Sequence, residues 1–325
     1  MSKHYYAMPN FTKNMKLHFY TTSPSLNMKI FIVGSINMDL VINAPFMPEN
    51  GMTINGSNFL TNPGGKGANQ AVAVSKLGGN SYMVGAVGEA FGSKLKNTLD
   101  SYGVNTEFVK EYSNTSSGIA VIVVVDGDNR IILDAGSNAL VGRELIDTAL
   151  SYASEGDYLI CQLEIPQESV RYTLKKAKEI KMLTVLNPAP AANLIDGILE
   201  NVDIFNTNQS ETEFYTGIYP KDEKTQMEAA HKLNDMGVST VLITLGAHGS
   251  CAIQNGQYFR ADGYKVNVVD TTAVGDTYIG AFVAKLSEGS SLTEAMNYAS
   301  KESALTVTKQ GAQQAIPYKT EVDNY

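Results

Sequence analysis

The stretch VVDTTAVGDTYIGAFVAKL at residues 268–286 holds the residue types best suited to chemistry. Ile279, Phe282, Val283 and Leu286 recur at i, i+3, i+4 and i+7, which predicts an amphipathic helix. Gly275 and Asp276 then stand at its N-terminus. Backbone N–H groups there have no preceding turn to bond, and the helix dipole favours an anion. Glycine allows a phosphate to approach the main chain closely. A carboxylate beside such a site can take the proton of an attacking hydroxyl. The same pair also reads as a tight turn followed by a favourable first-turn acid, a common helix start.

A second group lies in TNPGGKGANQAVAVS at 61–75. It is not a Walker loop, because Gly67 rather than Ser or Thr follows Lys66. Its use is to bring backbone and Lys66 against a polyhydroxylated ligand, with Asn69 offering both donor and acceptor. The plain alternative is an N-terminal turn with solvated Lys and Asn. A third group stands at the ends of apolar runs: Asn37 and Asp39 after KIFIVGSI, Glu164 after DYLICQL, Asn187 after MLTVL, Asn208 and Glu211 as N-x-x-E after VDIFNT, and TLGAHG at 244–249. Each alone reads as a loop residue. Polar groups following successive parallel strands converge on one edge of a sheet, where open α/β folds bind ligands. His248 and His231 read as structural, and Cys161 and Cys251 as buried small hydrophobes.

The elements that would position these groups follow from the hydrophobic pattern. Continuous apolar runs at 29–36, 81–88, 157–164, 182–188, 202–208 and 240–246 alternate with helical stretches, among them Gly67–Leu77 and about 91–102. That alternation predicts an α/β fold: a mostly parallel central sheet with helices on both faces. Two hairpin-like segments, about 38–60 and 117–134, do not fit such a sheet. They predict a small antiparallel β lid over its carboxyl edge, the second turning at Asp126-Gly127-Asp128. Residues 1–27 are polar and aperiodic and lack a secretory pattern, so they read as a disordered extension before one domain at 28–325; His4 and His18 there read as solvated.

With 33 acidic against 25 basic residues and a net charge of −8, the chain does not read as a nucleic-acid binder. It has no run of about 18 apolar residues, so no membrane-spanning helix is predicted. Two cysteines without a disulfide framework suit a reducing cytoplasm. GSINMD lacks the G-x-G-x-x-G of a dinucleotide-binding turn.

The ordered set GSINMD (34–39), NPGGKGANQA (62–71), QLEIP (162–166), LNPAPA (186–191), NQSE (208–211), ITLGAHG (243–249), DTTAVGDTYIGAF (270–282) and TKQGAQ (308–313) resembles the ribokinase family of carbohydrate kinases, from about Met28 to Pro317. The resemblance implies transfer of the γ-phosphate of ATP to the 5-hydroxyl of D-ribose; the alternative acceptors are deoxyribose, another sugar or a nucleoside. It makes Asp276 the general base and the amides of Ala273, Val274, Gly275 and Asp276 the anion hole. Asn37, Asp39, Gly65, Lys66, Asn69 and Glu164 match sugar-binding positions. Asn208, Thr244, Leu245, Gly246, Ala247, His248, Gly249, Gly275 and Ser300 fall where the family binds ATP. Glu211 matches the residue that organises Mg²⁺, through water. Asp270, Thr272, Thr306, Lys309, Gly311 and Ala315 fall where such kinases hold a monovalent cation, K⁺ as activator. The resemblance also implies a homodimer through the lid. Val274 stands where the family carries a smaller residue, and Ser300 where a larger, ring-contacting one is common.

Overall fold

The computed structural model describes residues 28–325; the extension expected at 1–27, with His4 and His18, lies outside the described residues. Its strands are β1 Lys29–Val33, β2 Asn37–Asn43, β3 Ser57–Gly64, β4 Asn80–Ala90, β5 Asn105–Ser116, β6 Gly118–Val125, β7 Asp128–Asp134, β8 Tyr158–Cys161, β9 Leu183–Leu186, β10 Ile204–Asn208, β11 Thr240–Thr244, β12 Ser250–Gln254 and β13 Gln257–Ala261. Its α-helices are α1 Lys66–Lys76, α2 Gly92–Ser101, α3 Arg143–Leu150, α4 Gln167–Ile180, α5 Gln209–Thr216, α6 Glu223–Asp235, α7 Val274–Ser287, α8 Leu292–Thr306 and α9 Lys319–Asn324.

The large sheet runs β13-β12-β11-β10-β9-β8-β1-β4-β5. The strands from β11 to β5 are parallel, and β12 and β13 close one edge as an antiparallel hairpin. β1 shows why its sequence is apolar without alternation. Ile30 and Ile32 enter a core with residues of α1, α7 and α8, while Phe31 and Val33 enter a second core with residues of α3, α4 and α6. A strand buried on both faces has no solvent side to mark with polar residues.

The second sheet runs β3-β2-β6-β7. The β2–β3 and β6–β7 pairs are antiparallel as the hairpin signals predict, with Asp126 and Gly127 in the second turn. They meet along a parallel seam, from Asn37 opposite Gly118 to Asn43 opposite Val124. The seam is parallel because β2 leaves the end of β1 and β6 leaves the end of β5, two strands that point the same way in the large sheet. The lid therefore grows from the carboxyl edge, where the polar strand-end residues collect.

Candidate active site

Asp276 lies in the first turn of α7 and is 6% exposed. Its Oδ2 accepts from Asn69 Nδ2 at 3.1 Å and its Oδ1 from Gln70 Nε2 at 3.3 Å, both on α1. Burial pushes the Asp276 carboxyl above the ordinary aspartate value. The Lys66 ammonium and the Asn69 bond oppose that, Glu164 adds to it, and the Gln70 bond opposes it again. Lys66 is raised in turn, chiefly by Asp276, against the effect of its burial.

Ala273, the residue before α7, holds φ at 61°, a left-handed conformation that is strained for a residue with a Cβ. The strain sits where the chain turns into the helix. Of the expected anion-hole amides, Val274 N points at Thr271 O at 3.4 Å. Gly275 is exposed, and a Cβ placed there would meet nothing within 4 Å, so its amide begins the helix beside open space.

The sugar-side positions gather around Glu164. Its Oε2 accepts from Ser35 Oγ at 2.6 Å, from Asn37 Nδ2 at 3.3 Å and from the Lys66 backbone N–H at 3.3 Å. Asn37 Oδ1 accepts from Asn138 Nδ2 at 2.7 Å. Gly65 has φ 91°, and a Cβ there would stand 2.7 Å from Asn37 N, so only glycine lets this turn lie against the start of β2. Asp39 is pushed up to about 7 by burial, then by Glu164 and Asp276. The structure thus brings Asn37, Asp39, Gly65, Lys66, Asn69, Glu164 and Asp276 together.

On the other side, Asn208 and Glu211 form the capping box of α5: Asn208 Oδ1 accepts from Glu211 N at 2.8 Å and Glu211 Oε2 from Asn208 N at 2.9 Å. Burial raises the Glu211 carboxyl; the Asn208 N–H and Lys66 lower it, and Asp276 raises it, so it shares the field of Lys66 and Asp276. Thr244 ends β11, and Gly246–His248 is a 3₁₀ turn leading to β12. Leu245 is buried, and its backbone closes the turn: its N–H donates to Gly249 O at 2.8 Å and its O accepts from His248 N at 3.1 Å. His248 O accepts from Arg260 Nη2 at 2.6 Å. Ser300 lies buried on α8, and its hydroxyl has no hydrogen-bond partner among the described residues.

Of the residues expected around a monovalent cation, Asp270, Thr272 and Gly311 meet. Asp270 Oδ1 accepts from Thr272 N at 2.8 Å and Thr272 Oγ1 at 2.6 Å, and its Oδ2 from Gly311 N at 2.9 Å. Burial pushes this carboxyl up, but those bonds, with one from Thr271 N–H, outweigh it and hold it below the ordinary value. Two of the expected side chains are committed elsewhere: Lys309 Nζ donates to Glu321 at 2.9 Å and Thr306 Oγ1 to Glu302 at 2.6 Å. Those positions and Ala315 can offer backbone carbonyls only. Among the described residues no group of three or more His, Cys, Asp or Glu is placed to hold a metal ion.

Sequence reasoning missed Gln70, Gln162, Gln313, Asn138 and Glu302, all buried. QLEIP and TKQGAQ contain two of them, but a glutamine in a loop or helix gives no signal of burial until its neighbours are known.

The model of the pfkB family carbohydrate kinases matches residues 27–319. The chain is 37% identical to a ribokinase of Haemophilus influenzae, over 89% of this chain and 95% of that one. It is 38% identical to a ribokinase of Schizosaccharomyces pombe, over 91% of this chain and 97% of that one. The structure of Arabidopsis thaliana ribokinase complexed with ribose and ATP superimposes with a TM-score of 0.85 at 29% identity, covering 92% of this chain and 98% of that one.

Proposed function

The chain belongs to the pfkB family of carbohydrate kinases, and from that premise we propose that it transfers the γ-phosphoryl group of ATP to the 5-hydroxyl of D-ribose, giving D-ribose 5-phosphate and ADP. The observation that carries the proposal is the buried Asp276 carboxylate, held by Asn69 and Gln70 beside the open N-terminus of α7.

The ring hydroxyls of ribose are read by Asn37, Asp39, Gly65, Lys66, Asn69 and Glu164. Asp276 takes the proton of the 5-hydroxyl as that oxygen bonds to the γ-phosphorus and the bond to the β-phosphate oxygen breaks. The helix dipole and the amides at the start of α7, Gly275 first because the Val274 N–H points at Thr271 O, face the charge that spreads over the transferring group. Asn208, Thr244 through Gly249, Gly275 and Ser300 form the nucleotide side. ATP would arrive as its Mg²⁺ complex, and Glu211 would help hold that ion through water, supplying charge to the phosphates. Lid strands β2, β3, β6 and β7 shield the reaction from water, which would otherwise take the phosphoryl group.

The oxygen donors at Asp270, Thr272, Thr306, Lys309, Gly311 and Ala315 suit a hard monovalent cation, since the Asp270 carboxyl is held ionised and the rest are carbonyls or a hydroxyl. Bound there, K⁺ would supply positive charge to the loop that leads into α7. Strand alternation sets Phe59, Val121 and Ile132, 63%, 38% and 69% exposed, on the lid face opposite Asp39. We assign that face to a second copy of the chain. We assign the enzyme to the cytoplasm, where ATP is at hand and the buried thiols of Cys161 and Cys251 stay reduced.

The test is ADP release with Mg²⁺ and ATP against D-ribose, 2-deoxy-D-ribose, fructose and nucleosides, with products weighed by mass spectrometry. D-ribose gives the highest kcat/KM, and Asp276→Asn lowers kcat by about 10²–10⁴ with ribose affinity changed only several-fold. A nucleoside turned over in preference to ribose, or near-normal kcat in Asp276→Asn, overturns the assignment.

A further inference from the structure

A primary amide can present either its N–H groups or its oxygen, depending on a half-turn of the side chain. Both amides on Asp276 therefore need something to decide which end they offer. The structure supplies it twice. Gln313 Nε2 donates to Asn69 Oδ1 at 3.3 Å, which turns Asn69 Nδ2 toward Asp276 Oδ2. Gln162 Nε2 donates to Gln70 Oε1 at 2.6 Å, which turns Gln70 Nε2 toward Asp276 Oδ1. The remaining Gln70 N–H goes to Asn187 Oδ1 at 3.4 Å, and Asn187 Nδ2 donates to Asn206 O at 3.3 Å. All of these side chains are buried.

We propose that Gln313 and Gln162 are positioning residues for the reaction: two outer amides that orient two inner ones, so that both oxygens of Asp276 face N–H donors and the base stays ionised in a buried site. The inference rests on the reading of Asp276 as the base.

The bland alternative is that these glutamines merely fill space. Their own oxygens argue against it. Among the described residues, Gln162 Oε1 and Gln313 Oε1 are two of four buried side-chain atoms without a hydrogen-bond partner. An orphaned buried acceptor is unfavourable, and an apolar side chain of the same shape avoids it. Turning either glutamine round would bring its oxygen against the oxygen of Asn69 or Gln70 and free the inner amide to present its own oxygen to a carboxylate. The orphans are what this orientation leaves behind. The two arms come from separate parts of the chain, one from the segment after β8 and one from the segment after α8.

The clamp works against the other groups that face Asp276. Glu164, beyond β8, Asp39 on β2 and Glu211 on α5 disfavour its charge; Lys66 on α1 favours it. With Glu164 and Glu211, and above about pH 7 Asp39, set against one ammonium, the neutral donors carry weight in deciding whether the base is charged.

The test uses Gln313→Met and Gln162→Met, neutral replacements of similar length that cannot donate. The expected result is that the acid limb of kcat against pH moves up by about one unit in each, so that turnover on that limb falls about tenfold, recovers toward wild type at high pH, and leaves KM for ATP within about twofold. In an Asn69→Ala background, Gln313→Met adds no further shift. A purely structural role would lower the melting temperature and leave the limb in place. An unmoved limb, or a loss of turnover that is the same at every pH, overturns the proposal. If one variant does not fold, the other arm decides. ¹³C-detected titration of the Asp276 carboxyl in the unliganded protein reads the same shift without turnover. A wild-type chain that does not phosphorylate ribose would therefore sink the kinase reading, while the titration still decides the clamp.

Discussion

Asp39 lies on β2 opposite Asn62 of β3, and its carboxyl is pushed up to about 7 by burial and by the neighbouring Glu164 and Asp276. The folded state thus holds this proton more tightly than the unfolded chain, whose aspartates titrate near 4. The stabilising effect of that proton is present at acid pH and is lost as pH rises through 7. At pH 8 the unliganded protein carries an ionised Asp39 beside two other carboxylates, a destabilising arrangement that bound ribose hydroxyls would relieve. Asp39→Asn should therefore raise unfolding free energy at pH 8 by about 1–2 kcal/mol, with the gain shrinking toward pH 5. The same change should weaken ribose binding by about tenfold or more and leave ATP affinity nearly unchanged. Denaturant melts at the two pH values and calorimetric titrations check both parts; a gain of equal size at pH 5 would show that the carboxyl is not the cause. The position of Asp39 beyond the first strand is written in GSINMD, but its pH behaviour depends on Glu164 and Asp276, far away in sequence.

Helices α1 and α7 carry the two halves of the Asp276 site, and their crossing fixes how those halves meet. Gly280 of α7 faces Ala73 of α1 so closely that a Cβ on it would stand 2.5 Å from Ala73 Cβ and 2.9 Å from Gln70 O. Gly280→Ala must push the helices apart. Asn69 and Gln70 lie within a turn of that contact, and Asp276 lies one turn back along α7. The expected outcome is a loss of about 1–3 kcal/mol in stability and at least tenfold in kcat, with Ala73→Gly in the same chain restoring part of both. Turnover and melting curves of the single and double variants check it; a double variant no better than Gly280→Ala alone would place the damage elsewhere. The far end of α1 is anchored too, since Lys76 Nζ donates to Gln313 O at 2.9 Å and Ile316 O at 3.0 Å. The helical stretch at 67–77 and the apolar periodicity of 279–286 are legible in the sequence. Their crossing is not, because a glycine inside a helix reads as a weak helix former until the partner surface is known.

At the scale of the molecule, the lid face that holds Met38 and Leu40 is covered at its base, but Phe59, Val121 and Ile132 on the same face stay exposed in the described chain. Isolated small sheets with such a face and a free edge strand invite a partner. On the proposed dimer, sedimentation at micromolar concentration shows a two-chain species, and Ile132→Lys shifts it to monomer while raising KM for ribose several-fold, because the lid then lacks support. A wild-type monomer at that concentration would defeat the assignment. The hairpin signals at 38–60 and 117–134 announce the lid strands; their side-by-side union through β2 and β6 follows only from where β1 and β5 end.

The sequence by itself determined the layered α/β fold, the helix start at Gly275-Asp276 and the strand-end positions of Asn37, Asp39, Glu164, Asn208 and Glu211, because periodicity and turn chemistry are local and survive in a one-dimensional record. Only the tertiary structure decided that Gln162 and Gln313 reach Gln70 and Asn69, and that Asp276 is buried against those inner amides. Burial and side-chain orientation are set by contacts between segments tens to hundreds of residues apart, and no local pattern encodes which of those contacts a polar side chain will find.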